Sequence, residues 1–167
     1  NAYEFAAKLV NPKVKVLKTY AGSWTDPAKG KETALSMFDA GADHLGKYAA
    51  MSDLGGFDAC KERSVYTTGI YLDQSPLAPE LTLANFLFDP APILINFMKN
   101  TVEGLPVMGG QIPCGFPPMF NSFQKIQRTP AFDKLPSNVK EKFNEVAKEV
   151  EKGGYVIIRD ETRFAVA

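Results

Sequence analysis

The chain has 167 residues, 45% hydrophobic and 23% charged, which is enough apolar material for one ordinary globular core. Its formal net charge is zero, so no broad field favours nucleic acid or an anionic membrane, and no nucleic-acid partner is expected. The longest apolar stretches, such as Ile93–Ile95, fall far short of a bilayer span.

The chain opens at Asn1 without Met and without a visible signal peptide, which reads as a processed or partial chain. Residues 2–10 predict the end of a helix, stopped at Asn11-Pro12 because the residue before proline is pushed out of the helical region. Val14–Leu17 alternates like a strand. A loop over 20–26 leads to a helix from about Pro27 to Ala40, with Asp26 suited to the N-cap, Pro27 to the first turn and Gly41 to the stop. Asp43–Tyr48 predicts a short strand. Asp53–Arg63 predicts a helix with Leu54, Phe57 and Ala59 inward. Val65–Tyr71 and Leu81–Phe88 predict strands, separated by a loop through Asp73–Pro76. Asp89-Pro90 opens a helix that ends at Gly104, and Val107–Ile112 is a further strand candidate.

Strand, loop and capped helix alternate about every 25 residues. The fold expected is α/β, a Rossmann-like or flavodoxin-like parallel sheet with helices on both faces. Ligands in such sheets sit beyond the carboxyl ends of the strands. Here those loops are Gly22–Asp26, Ala49–Gly56, Tyr71–Pro76 and Phe88–Pro92. The last third differs. Pro113–Pro118 cannot be a regular element, whereas 136–152 is a helix with Ser137 as candidate N-cap. Its stripe is Val139, Phe143, Val146 and Val150, and Gly153-Gly154 ends it; Tyr155–Arg159 reads as a short strand.

No catalytic arrangement stands out. The single histidine, His44, reads as a packed or surface residue of a short strand. No nucleophile elbow, phosphate loop or dinucleotide fingerprint occurs. Gly55-Gly56 and Gly109-Gly110 read as turns or close approaches. Cys60 and Cys114 have no metal-ligand spacing, and read as small buried residues; their spacing does not decide whether they pair. No catalytic residue, metal ligand or cofactor is expected. Binding chemistry is better represented. Trp24, the only tryptophan, is either a lid over the core or a platform for a flat ring. Asp73 is either an Asx-turn with the backbone near Ser75 or an acceptor for ligand hydroxyls or an amine. Asp89 caps its helix or meets a ligand.

The words on these loops resemble the basic membrane protein (BMP) family of type I periplasmic-binding-protein-like receptors. Tyr20–Glu32 is similar to that family's Y-x-G-S-[FW]-x-D-P-x-K-x-K-E signature, and Asp39–Asp43 to its D-x-G-A-D. Gly69–Ser75 resembles its G-V-D-S-D-Q-S loop, and Phe88–Pro92 the W-D-W-G-P of one branch. The resemblance covers residues 1 to about 105 in order and is weak beyond. It implies a bilobed, non-enzymatic solute receptor whose Rossmann-like lobes close on a ligand. Members with known ligands take purine nucleosides for ABC-type uptake, and one relative activates genetic competence. On that map residues 1–12 end a first-lobe helix and hinge, 13–108 form the ligand-binding lobe and 109–167 return toward the hinge. The implied function is recognition of a small, purine-like ligand by a substrate-binding component. A ligand-sensing regulatory module and a flavodoxin-like enzyme are the alternatives.

The ligand-binding residues expected are Ser23, Trp24, Ser52, Tyr71, Asp73 and Asp89. The resemblance further implies an ABC permease as partner, an extracytoplasmic location (periplasmic or as an anchored lipoprotein), and either a missing first lobe or self-association. Two departures bear on the ligand. Tyr71 stands where nucleoside binders carry the Asp that takes the ribose hydroxyls, and a family Lys is replaced near Leu87 or Phe88.

Overall fold

A computed structural model describes residues 2–104 and 124–151. The predicted 107–112 and 155–159 strands, the 113–118 segment, Cys114 and the Gly153-Gly154 stop lie outside them. Helix α1 (Ala2–Val10) ends as expected before Pro12. Val14–Leu17 belongs to no strand or helix and pairs with no strand among the described residues, which corrects the expectation of a strand there. Alternation alone does not make a strand, which also needs a neighbour to take its hydrogen bonds.

Helix α2 (Pro27–Asp39) starts where its signals put it: Asp26 Oδ1 accepts from the backbone N–H of Ala28 at 3.0 Å and of Lys29 at 3.2 Å. Gly41, at φ +93°, reverses the chain, and its N–H donates to the Phe38 carbonyl at 2.9 Å. Strand β1 is only His44–Leu45, shorter than the predicted 43–48, and is followed by a 3₁₀ turn (Ala50–Ser52). Helix α3 (Asp53–Arg63) follows. Phe57 and Ala59 point inward as expected, but Leu54 is 41% exposed. Gly55, Gly56 and Cys60 fill the inner face instead.

Strands β2 (Tyr66–Tyr71) and β3 (Thr82–Phe88) lie parallel, as do β1 and β2. The β2–β3 crossover carries only a 3₁₀ turn, Ser75–Leu77. Helix α4 (Ala91–Val102) then leaves the sheet, with no residue buried. The sheet gains a fourth member that the sequence pattern does not announce, β4 (Gln124–Arg128), antiparallel to β3. The order is β1-β2-β3-β4. The α/β expectation holds, with an antiparallel edge added to a parallel sheet. A short helix α5 (Pro130–Asp133) and helix α6 (Ser137–Glu151) complete the described chain. Pro136, not Ser137, precedes the first helical residue of α6, and its carbonyl accepts from Val139 and Lys140. Phe143 packs on Phe132 of α5, ring centres 4.8 Å apart, whereas Val139 is exposed.

The core is small: Ala34 of α2, Leu45 of β1, and Ala59 and Cys60 of α3. Its tightest feature is the crossing of α2 and α3. A Cβ on Gly30 would lie 1.9 Å from the Ser52 carbonyl oxygen, and one on Gly55 would lie 1.8 Å from that of Pro27. Only glycine allows these backbones to touch. The close-approach reading of Gly55 is therefore the one realised, inside a helix. The crossing presses the loop before α2 against the loop after β1.

Candidate functional site

That contact is sealed by hydrogen bonds. Ser52 is buried; its hydroxyl donates to the Ser23 carbonyl at 2.8 Å and accepts from the Asp26 N–H at 3.1 Å. The Met51 N–H donates to the Trp24 carbonyl at 2.9 Å. The loop 22–26 is thereby fixed with the Trp24 ring outward, 61% exposed. A cavity of about 310 Å³ opens beside it, bordered among others by Ser23, Trp24, Thr33, Lys47, Tyr48 and Ser52.

From Trp24 a row of rings crosses the carboxyl ends of the parallel strands. Trp24 meets Tyr48 edge-on with ring centres 6.3 Å apart; Tyr48 meets Tyr71 at 5.8 Å, and Tyr71 meets Phe88 edge-on at 5.8 Å. These separations and tilts suit aromatic quadrupoles. Trp24, Tyr71 and Phe88 belong to three of the four loop regions at this end of the sheet, and Tyr48 immediately precedes the fourth. The Tyr48 and Tyr71 hydroxyls hydrogen-bond each other, and that contact holds the Tyr71 phenol above its usual pKa. Tyr71 sits at φ +67°, with the Leu72 N–H donating to the Ile70 carbonyl at 2.9 Å across it. This is the rare γ-turn with positive φ at its centre, strained for a bulky residue.

The acids play quieter parts. Asp73 Oδ1 accepts from the Ser75 N–H at 3.0 Å, the Ser75 hydroxyl at 2.5 Å and Asn85 Nδ2 at 2.9 Å. Its Oδ2 accepts from Gln127 Nε2 at 3.1 Å. The Ser75 hydroxyl is the first reason the Asp73 carboxyl lies below its ordinary pKa. The Asx-turn reading thus describes what its oxygens do here, and Gln127 adds a tie to β4. Asp89 Oδ1 accepts from the Ala91 N–H at 3.0 Å, at the entry of α4. The six expected residues therefore divide. Ser23, Trp24 and Ser52 border the cavity, although the Ser52 hydroxyl is used within the fold. Tyr71 joins through Tyr48. Asp73 and Asp89 lie off the cavity, with carboxylates engaged by their own loops.

Sequence reasoning missed Tyr48 and Lys47. Tyr48 follows a strand and precedes no motif; only the meeting of two loops shows it to be the hub of the row. The Lys47 ammonium lies 3.5 Å from the centre of the Phe57 ring. It donates to Thr67 Oγ1 at 2.8 Å and to the Thr68 carbonyl at 2.7 Å. Burial pulls its pKa down to about 8. Asp53, also buried, accepts from the Ala49 N–H at 2.8 Å, and burial raises its pKa. His44 lies within reach of the fold's own groups, Nδ1 3.1 Å from the Tyr3 hydroxyl. Among the described residues no cluster of His, Cys, Asp and Glu could hold a metal ion, and no helix is long and apolar enough to cross a membrane.

The profile of the Bmp family, described as ABC transporter substrate-binding protein PnrA-like, matches residues 1–108. Basic membrane protein D of Borreliella burgdorferi (strain JD1) is 31% identical over 111 residues, 65% of this chain and 33% of that protein. Basic membrane protein A of Borreliella afzelii is 32% identical over 109 residues, 61% of this chain and 34% of that protein. Among solved structures, a solute-binding protein of an Aeropyrum pernix K1 ABC transporter system superposes with TM-score 0.69 at 18% identity, covering 95% of this chain and 52% of that one. A transcriptional activator of the comK gene from Bacillus halodurans gives TM-score 0.70 at 16% identity, covering 89% and 50%. The chain thus spans about a third of these curated relatives and about half of these solved structures.

Proposed function

The chain belongs to the Bmp family of PnrA-like ABC transporter substrate-binding proteins, and from that membership we propose that it forms one ligand-holding side of a solute receptor for ABC-type uptake. The observation that carries this reading is the row Trp24–Tyr48–Tyr71–Phe88 across the carboxyl ends of the parallel strands. Ring faces offer a flat solute dispersion and desolvation without directional demands, which suits a purine-like or similar heterocycle. The strain at Tyr71 supports the same assignment, because backbone strain of this kind persists mainly where a site uses it. The role is one of binding, not turnover. An ABC permease is the expected transport partner, and an anchored extracytoplasmic lipoprotein is the expected setting.

The test is native mass spectrometry of the protein purified without added ligand, followed by titration with purines while fluorescence is read. Trp24 is the only tryptophan in the chain, so its emission reports the site directly. A co-purifying aromatic molecule, or saturable quenching in the parent together with a calorimetric affinity that Trp24→Leu weakens at least tenfold at unchanged melting temperature, supports the reading. No retained molecule and no saturable ligand among heterocycles would remove it.

A further inference from the structure

The register of β2, β3 and β4 aligns Gly69, Asn85 and Gln127 in one row across the sheet. Asn85 is fully buried, and a buried amide needs partners at both of its ends. A Cβ on Gly69 would lie 2.0 Å from Asn85 Oδ1, so the glycine leaves the space this oxygen fills. The loop after β2 supplies the partners. The Gln74 N–H donates to Asn85 Oδ1 at 3.2 Å, and Gln74 Oε1 accepts from the Ile70 N–H at 2.9 Å.

The first of these bonds fixes which way round the Asn85 amide stands. Its Nδ2 is left to donate to Asp73 Oδ1 at 2.9 Å and to Gln127 Oε1 at 3.3 Å. Gln127, oriented in turn, donates through Nε2 to Asp73 Oδ2 at 3.1 Å. Three side chains thereby close a ring of hydrogen bonds in which Asp73 accepts on both oxygens. An amide at position 73 could not close it, because one of its ends would set a donor against a donor. The ring therefore explains a carboxylate at 73 that the turn with Ser75 alone does not require. Tyr71 stands between two held points, the Ile70 N–H on Gln74 and the Asp73 carboxylate in the ring. Its positive φ needs such support, since a strained residue persists only where its surroundings over-determine it.

We propose that Asn85 and Gln127 are positioning residues that tie the loop carrying Tyr71 to β4, so that this loop takes its site geometry only with β4 seated on β3. The significance of Tyr71 for a ligand rests on the receptor reading above. The tie itself is tested without any ligand.

The experiment uses the full chain at low micromolar concentration and reads hydrogen exchange at single amides by mass spectrometry. Gln127→Glu sets one carboxylate against another, and Asp73→Asn sets one amide N–H against another. The double variant restores the ring with its polarity reversed: position 73 donates where it accepted, and position 127 accepts. Each single substitution should speed exchange at Ile70, Leu72 and Gln74 by at least about fivefold relative to Thr67, whose N–H donates to Leu81 away from the ring. The double variant should return to within about twofold of the parent. The 19F resonance of 3-fluorotyrosine placed at position 71 should shift in each single variant and return in the double, which a role confined to overall stability would not produce. Parental rates in either single variant, equal acceleration of Thr67, a 19F resonance that stays in place, or a double variant no slower than the faster single overturns the inference. None of these outcomes touches the receptor reading, which stands or falls on the ligand titrations described above.

Discussion

Tyr71 holds its ring in place against the preference of its own backbone. At φ +67° a bulky residue carries strain of about 1–3 kcal/mol, which glycine would relieve. Glycine would also delete ring contacts with Tyr48 and Phe88, which are worth a similar amount. The two effects oppose. Tyr71→Gly is therefore expected to melt within a few degrees of the parent while losing at least tenfold in affinity for a ring ligand. A melting curve and one titration check this; a large fall in stability with affinity retained would make Tyr71 a packing residue. Lys47 makes a second prediction, through pH. Burial sets its folded pKa at about 8, below its ordinary value. The folded state then binds fewer protons than the unfolded one above pH 8, so stability rises with pH across that window. Below it, the cost of the buried charge is fully present. Between about pH 7.5 and 9 the parent should gain about 1 kcal/mol relative to Lys47→Met. Cys60, whose pKa burial raises and the Lys47 charge lowers, does not cancel on its own, so both proteins carry Cys60→Ala for this comparison. Parallel slopes for the two proteins would show that Lys47 keeps its ordinary pKa in the fold.

At the scale of elements, the site depends on how closely α2 and α3 approach. Gly55→Ala would place a methyl 1.8 Å from the Pro27 carbonyl oxygen, a backbone atom that cannot give way cheaply. Gly56→Ala would meet side-chain atoms, Leu45 Cδ2 and Lys47 Cδ, at 3.2 Å. Overpacking of the first kind costs about 1–3 kcal/mol. Gly55→Ala should then lower the melting temperature by roughly 5 °C or more and loosen Trp24 from Tyr48, whereas Gly56→Ala should do less of both. Equal effects would mean the crossing is not what positions the loops. Much of this layer was legible in the sequence, because its signals are local. Asp26, Pro27 and Gly41 bound α2 through groups within a few residues of its ends. What escaped was set by partners distant in sequence. Val14–Leu17 has the alternation of a strand but no ladder beside it among the described residues. The polar run Gln124–Arg128 pairs with β3 because β3 offers an edge, not because its own pattern demands it. Of the candidate site, Trp24 and Tyr71 were legible from loop position and family likeness. Tyr48 and the engagement of Ser52 and Asp73 emerge only where loops meet.

At the scale of the whole molecule, the described residues leave much apolar surface exposed. Along α4, Leu94, Met98 and Val102 follow one another at helical spacing, and all are exposed, Val102 at 87%. Ile95 and Phe97 extend the patch. On α1, Phe5, Leu9 and Val10 are exposed as well. A soluble chain seldom leaves helix faces of this kind in water, and hydrophobic surface of such extent drives association. The solved proteins that share the fold are about twice the length that this chain covers, so in each of them a comparable body of chain accompanies the part that superposes. Produced alone, the 167-residue chain is expected to self-associate through these faces. Sedimentation velocity at tens of micromolar should show species above monomer mass, little weakened by salt because the contact is apolar. Leu94→Glu with Met98→Glu should shift them toward monomer, with the melting temperature nearly unchanged because α4 buries nothing in the fold. A parent chain that sediments as a monomer throughout would mean that α4 finds its cover within the chain itself. The double substitution should then unfold or destabilise the protein instead of dispersing it, so the same pair of proteins distinguishes association from internal packing.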